Sequence, residues 1–187
     1  MASGDSHIEN EVKLRVADAA SARALIERRG FQVLHPRVFE SNEVFDTPCG
    51  TFRARGELVR IREVDGRAVL TFKGVATPGP HKQRPEYETT AGDASALRRI
   101  FQGLGLQRTF RYEKYRTEFQ RAGEDGIVTL DETPIGVFLE LEGGAEWLDQ
   151  CAGELGFSSA DYITRSYGAL YLEHCREHGI EPANMVF

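Results

Sequence analysis

The sequence predicts an α+β fold: a closed antiparallel β-barrel of about eight strands with helices packed outside. Three features carry that prediction. Charges recur at every second position of most strand-like segments, the alternate positions are apolar, and the charges come in matched sets of Glu-x-Glu, Arg-x-Arg and Lys-x-Arg. A strand turns successive side chains to opposite faces. In a closed sheet one set of faces lines a water-filled lumen, and the other packs outward against helices.

The elements follow in order. Residues 7–16 read H-I-E-N-E-V-K-L-R-V, with Glu9, Glu11 and Lys13 on one face and Ile8, Val12 and Leu14 on the other. Asp18 is a fitting N-cap for an amphipathic helix near 19–29, which Gly30 ends. Strands are expected at 31–46, 57–64 and 67–74, the last two joined by the hairpin turn Asp65-Gly66. Here Arg60 and Arg62 alternate with Val59 and Ile61, and Thr71 and Lys73 with Leu70 and Phe72. Val75 to Gln83 is a Pro/Gly-containing loop placed at one mouth of the barrel. A strand at 84–91 and a helix at 93–104 lead to strands at 108–121, 126–132 and 136–142. The last places Phe138, Glu140 and Glu142 opposite Val137, Leu139 and Leu141. Gly143-Gly144 stops it, and helices are expected near 145–155 and 161–177, packing on the barrel. No linker divides the chain, so residues 1–187 read as one domain, with 1–6 disordered.

Composition removes several function classes. The 187 residues are 41% apolar and 28% charged, ordinary for a globular protein with a substantial core. A net charge of −6 argues against nonspecific nucleic-acid binding. No apolar run approaches the roughly 18–20 residues of a membrane span. Met1 to Ser6 lacks the basic and apolar regions of a signal peptide. Cys49, Cys151 and Cys175 are odd in number and lack metal-site spacing, so the expected location is the cytoplasm.

The lumen carries the chemistry. Its expected acids are Glu9, Glu11, Glu86, Glu88, Glu118, Asp131, Glu140 and Glu142; its expected bases are Lys13, Arg60, Arg62, Lys73, Arg84, Lys114 and Arg116. Such density is costly to desolvate unless the groups pair, stay hydrated or bind something charged. Clustered bases suit a polyphosphate, whose oxygens accept charge-assisted bonds from Arg. Clustered carboxylates suit a hard divalent cation such as Mg²⁺. Both in one lumen point to a metal–polyphosphate site.

Glu9-Asn10-Glu11-Val12-Lys13 resembles the Glu-x-Glu-x-Lys signature of the CYTH superfamily, the triphosphate tunnel metalloenzymes. The later motifs F-D-T at Asp46, L-V-R-I-R-E, L-T-F-K, R-P-E-Y-E, Y-E-K-Y-R, V-T-L-D-E and L-E-L-E keep that family's order from Ile8 to Glu142. The resemblance implies class IV adenylyl cyclase or thiamine- or inorganic-triphosphatase chemistry on a small triphosphate, with Mg²⁺ or Mn²⁺ as cofactor. It implies metal ligation by Glu9, Glu11, Asp131, Glu140 and Glu142, and triphosphate binding by Lys13, Arg60, Arg62, Lys73, Arg84, Lys114 and Arg116. Lys13, Asp131 and Glu11 are the expected catalytic groups; Glu86, Glu88 and Glu118 are supporting acids that either hold the bases in place or touch the metal directly. Water as nucleophile gives a triphosphatase, the expected activity. A ribose 3′-hydroxyl attacking the α-phosphate of ATP gives a cyclase releasing cyclic AMP and pyrophosphate, and loss of metal would leave a polyphosphate-binding module. A monomer or homodimer is expected, with neither nucleic acid nor membrane as partner.

The remaining polar groups read as structural. Asp46 suits a strand end or turn, and His35, His81, His174 and His178 suit the surface, with His81 and Lys82 near the mouth. Tyr112, Tyr115, Tyr162, Tyr167 and Tyr171 read as core and barrel-wall packing.

Overall fold

Alternation of apolar and charged side chains closes the sheet. A computed structural model describes residues 8–187; the expected disorder at 1–6 and the strand start at His7 lie outside the described residues. The strands are β1 (Ile8–Val16), β2 (Gln32–Asp46), β3 (Leu58–Val64), β4 (Arg67–Lys73), β5 (Lys82–Ala91), β6 (Gln107–Gln120), β7 (Ile127–Thr133) and β8 (Gly136–Glu142). They form one closed barrel in the order β1-β5-β4-β3-β2-β6-β7-β8, every pair antiparallel, with β8 returning to β1. The helices are α1 (Ala19–Arg28), α2 (Thr51–Arg55), α3 (Ala94–Gly103), α4 (Ala145–Glu154) and α5 (Tyr167–His178).

Apolar faces hold the helices on. Val12 and Leu14 of β1, Val128 and Leu130 of β7, and Leu139 and Leu141 of β8 pack against Ala22 and Ile26 of α1 and Leu148, Cys151 and Ala152 of α4. Burying each Leu or Ile in this layer contributes roughly 1.5–3 kcal/mol. A second outer layer joins Phe45, Val59 and Ile61 to Phe101 of α3. Trp147 lies so close to the strand ends that a Cβ at Gly126 would sit 2.2 Å from its ring, so only glycine fits there. Asp18 caps α1, accepting the Ser21 N–H at 2.8 Å, and Asp65 and Gly66 take the positive φ values of 48° and 71° that the hairpin turn needs.

Four details depart from expectation. β5 begins at Lys82 inside the expected loop, because Glu11 pairs opposite it. The short helix α2 was not expected; Asp46, which does end β2 as read, accepts the backbone N–H groups of Thr47, Phe52 and Arg53 at 2.7–2.9 Å and holds its first turn. The expected helix at 161–177 is broken: Ile163 exchanges two backbone hydrogen bonds with Lys13, and Ser166 caps a helix that starts only at Tyr167. Finally, α5 does not pack only on the outside. Its first turn enters one mouth, where Tyr167, Leu170 and Tyr171 meet Tyr112, Phe138 and Met185. No helix among the described residues is long and apolar enough to cross a membrane.

Candidate active site

Strand register brings opposite charges face to face across the lumen wall. Glu9 stands opposite Arg84, Glu11 opposite Lys82, Lys13 opposite Glu140, Lys73 opposite Glu86, Arg116 opposite Asp131 and Glu40 opposite Lys114. Directly opposed side chains in an antiparallel pair share a face, their Cβ atoms about 4.5–5.5 Å apart. All fifteen charges expected inside are on the lumen face, and fourteen of them, all but Asp131, border a single cavity of about 800 Å³. That volume falls in the range of small-ligand sites.

The bases are held by specific carboxylates. Lys13 Nζ lies 3.1 Å from both Glu11 Oε1 and Glu140 Oε1. Lys73 Nζ donates to Glu9 at 2.6 Å and lies 2.8 Å from Glu86, while Arg84 Nε donates to the other oxygen of Glu9 at 3.1 Å. Arg60 donates to Glu88, Thr71 and the Tyr112 hydroxyl, each at 3.1 Å. Arg62 bonds Glu88 at 3.3 Å and lies 3.5 Å from Glu40. Asp131, wholly buried, accepts from Lys114 at 2.8 Å, from Arg116 at 2.6 and 2.7 Å, and from the Tyr167 hydroxyl at 2.7 Å. Arg116 also bonds Glu140. Glu118 instead takes His35 at 2.7 Å toward the opposite mouth, away from these pairs.

These contacts fix protonation states. Burial pushes the Glu11 carboxyl up, but the ammonium groups of Lys13 and Lys82 outweigh it and hold Glu11 far below the usual range. Burial opposes charge on Lys13 too, yet Glu11 and Glu140 win and raise its pKa. Glu140 is likewise held ionised by Lys13 and Arg116 against burial. Lys82 moves the other way, to about 8, because burial and the nearby Lys13 outweigh Glu11.

One end of this wall carries too many acids. Glu142 stands opposite Glu11 and has no hydrogen-bonded cation among the described residues. Burial of the carboxyl and the neighbouring Glu9, Glu11 and Glu86 raise its pKa to about 7, while solvent that reaches the side chain screens the effect. Burial and Glu9 raise Glu86 as well, against the pull of Lys73. Oxygen donors crowded this way match a hard cation, although no three acids or histidines among the described residues are already gathered as a ligand set. Nearby charged pairs leave Glu9 and Glu11 to be drawn from lysines by a stronger cation.

Sequence reasoning missed Glu40 and Asn42 on β2, and treated Lys82, Tyr112 and Tyr167 as loop or packing residues. Glu40 is held at a pKa of about 2, where Lys114, Arg116 and Arg62 overcome burial. Lys82 bonds Glu11 within the lumen. The Lys13 and Lys114 ammonium groups each lie 5.3 Å from the Tyr167 ring centre. The Lys-x-Arg spacing of Lys82 and Arg84, the same period-2 pattern as elsewhere in the lumen, was the one local hint of Lys82, masked by the Pro and Gly before it.

Comparison with known proteins agrees with this architecture. Residues 7–167 match the family model described as CYTH domain. A protein of Methanocaldococcus jannaschii named as a candidate adenylate cyclase is 30% identical over 136 residues, 72% of this chain and 76% of that protein. A structure of a candidate adenylate cyclase from Vibrio parahaemolyticus superposes with a TM-score of 0.76 at 22% identity, covering 89% of this chain and 98% of that one. A candidate adenylyl cyclase from Hippeastrum, described as having a dominant triphosphatase activity, gives 0.65 at 19% identity over 93% and 97% of the two chains. The barrel, its charged lumen and the matched span together show that the chain belongs to the CYTH domain family.

Proposed function

We propose that the protein hydrolyses a small triphosphate, inorganic or organic, with Mg²⁺ or Mn²⁺ as cofactor. The observation that carries this reading is the sorting of charge within one lumen. Acids crowd at Glu9, Glu11, Glu86 and Glu142, beside bases supplied by every neighbouring strand. In this reading Glu9, Glu11, Glu140 and Glu142 would hold the metal, which when bound would neutralise phosphoryl charge. Lys13 stays protonated, since its carboxylate partners raise its pKa, so its role is to neutralise phosphate charge and not to act as a base. Arg60, Arg62, Lys73, Arg84, Lys114 and Arg116 grip the phosphoryl oxygens, the arginines in bidentate fashion. Asp131, first read as a metal ligand, is already saturated by Lys114, Arg116 and Tyr167. We assign it to aiming those two bases, which keeps it in the catalytic apparatus without touching metal. Glu86 and Glu88 do the same for Lys73, Arg60 and Arg62.

Hydrolysis asks only for this tunnel, and the Hippeastrum relative is described as mainly a triphosphatase. The second reading is an adenylyl cyclase. It is favoured by the apolar mouth of Val44, Phe110, Tyr171 and Leu172, which offers room for an organic group, and by the name of the archaeal relative. The three free thiols of Cys49, Cys151 and Cys175 fit a cytoplasmic setting. The deciding experiment incubates purified protein with tripolyphosphate, thiamine triphosphate or ATP and Mg²⁺ or Mn²⁺. Phosphate release from any of them supports hydrolysis. Cyclic AMP and pyrophosphate from ATP would replace it with the cyclase, and tight binding without turnover would reduce the protein to a polyphosphate-binding module.

A further inference from the structure

The wall formed by β2, β3 and β6 contains a polar group that the charge pairs leave aside. Asn42 is fully buried, and neither its Nδ2 nor its Oδ1 has a hydrogen-bond partner among the described residues. Register places it on the lumen face, directly between Arg62 of β3 and Tyr112 of β6 and one step along β2 from Glu40. The Nε atoms of Arg60 and Arg62 are also unpartnered. A stretch of wall therefore combines three spare donors with two spare acceptors, Asn42 Oδ1 and Glu40 Oε2. A buried amide with no partner opposes folding, and an apolar side chain of the same shape would remove that penalty. The amide's position beside Arg62 suits a ligand that offers both an acceptor and a donor.

An ionised triphosphate offers acceptors alone, which Nδ2 and the two Nε groups would meet. The acceptor Oδ1 needs a hydrogen, and a water molecule is the simplest source. We propose that Asn42 is the residue that positions the attacking water, with Nδ2 donating to a phosphoryl oxygen and Oδ1 accepting a hydrogen from the water. This rests on the hydrolytic reading above. Asn42 does not itself border the cavity, whereas Arg62 opposite it does, so the amide comes into play as the Arg62 guanidinium leaves Glu88 and Glu40 for the phosphates. In the step itself the water oxygen forms a bond to phosphorus and the bridging P–O bond breaks. Its electron pair departs with the leaving phosphate chain, and the water proton ends on a phosphate oxygen. Asn42 orients the water and takes no proton.

The test compares wild type with Asn42→Leu, which keeps the volume and removes both hydrogen-bonding atoms, and with Asn42→Asp, which keeps an acceptor but loses the donor. Tripolyphosphate with saturating Mg²⁺ is the substrate, and thermal melting is followed alongside. For Asn42→Leu, kcat should fall about 100-fold with KM changed less than about threefold, while the melting temperature holds or rises. Stability and activity then move in opposite directions, which a purely structural amide would not produce. Should Asn42→Leu fail to fold, Asn42→Asp carries the test and should also lose kcat. Turnover within about threefold of wild type in a folded variant would overturn the proposal, as would a change confined to KM. Wild-type protein that released no phosphate from any triphosphate would overturn the hydrolytic reading and this one together, a result distinct from a silent Asn42 variant in an active enzyme.

Discussion

Two carboxylates on the lumen face, Asp131 and Glu142, show how differently one tunnel can use the same group. Asp131 on β7 is wholly buried and accepts from a lysine, an arginine and a tyrosine. Glu142, at the end of neighbouring β8, faces Glu11, and partial burial together with crowding by like charges lifts its pKa to about 7. The β6–β7 wall is thus a finished ion-pair network, whereas the β1–β8–β5 wall is short of cations. A network already satisfied gains little from a metal. An acid cluster with unspent charge gains a great deal, because a divalent ion removes several repulsions at once.

The largest effect expected from this contrast is at Glu11, which sits on the acid wall yet also holds Lys13 and Lys82. Glu11→Gln keeps the shape and removes the charge. Turnover should fall by about 100-fold or more, and stabilisation of the fold by added Mg²⁺ should shrink with it. Melting curves with and without Mg²⁺, beside kinetics, provide the check. Unchanged turnover at saturating Mg²⁺ would erase the distinction between the walls.

Asp131→Asn probes the other side. It leaves Lys114 and Arg116 as buried charges short of a partner, a change that costs on the order of 3–5 kcal/mol. Stability should drop sharply while the Mg²⁺ concentration giving half-maximal activity stays put. If that concentration rises instead and the melting temperature is kept, Asp131 belongs with the metal ligands after all.

Legibility in the sequence follows the same division. The barrel and its fifteen inward charges could be read because β1, β3, β4, β5, β7, β8 and the Tyr112–Glu118 part of β6 alternate without interruption. The 15-residue β2 hides its inward face. Register shifts between Val33 and His35, between His35 and Val38, and between Val44 and Phe45 break the parity, so Glu40 and Asn42 could not be phased from sequence. Lys82 follows a run of Pro and Gly that argues for loop, and only its pairing opposite Glu11 makes it strand. Tyr167 stands on a helix, where nothing local says that the first turn will enter a barrel mouth. Partnering was out of reach as well: that Asp131 is saturated and Glu142 is not depends on three-dimensional neighbours from other strands.

A smaller effect should separate anion binding from catalysis. Arg60 and Arg62 stand two residues apart on β3, about 7 Å along the strand, a spacing suited to adjacent phosphoryl groups. Each charge-assisted contact is worth roughly 1.5–3 kcal/mol. Arg62→Ala should therefore weaken tripolyphosphate binding about 10-fold or more, and pyrophosphate binding less, since the shorter chain spans fewer donors. Isothermal titration of both ligands at fixed metal reads the difference. Equal affinities for variant and parent would make Arg62 a partner of Glu40 and Glu88 and nothing more.

The smallest effect is in pH dependence, where the two walls should carry opposite signs. Glu40, beside the bases, has its pKa lowered from the ordinary 4.5 to about 2, as Lys114, Arg116 and Arg62 outweigh burial. Its stabilising contribution is complete above about pH 4.5 and is lost as pH falls toward 2. Glu142 is raised from 4.5 to about 7, so the folded state holds its proton where the unfolded chain has already released it. It therefore costs nothing below about pH 4.5, and the cost grows as pH rises to about 7 and then levels off. Solvent screening keeps this cost small, a few degrees of melting temperature at most. Glu142→Gln should accordingly melt with wild type at pH 4.5 and above it at pH 8 in metal-free buffer. Saturating Mg²⁺ should reverse the order at pH 8, because the ion stabilises only the protein that keeps the carboxylate. A variant that tracks wild type at both pH values, or keeps its advantage in Mg²⁺, would show that the acid wall is neither strained by its own charge nor relieved by a cation.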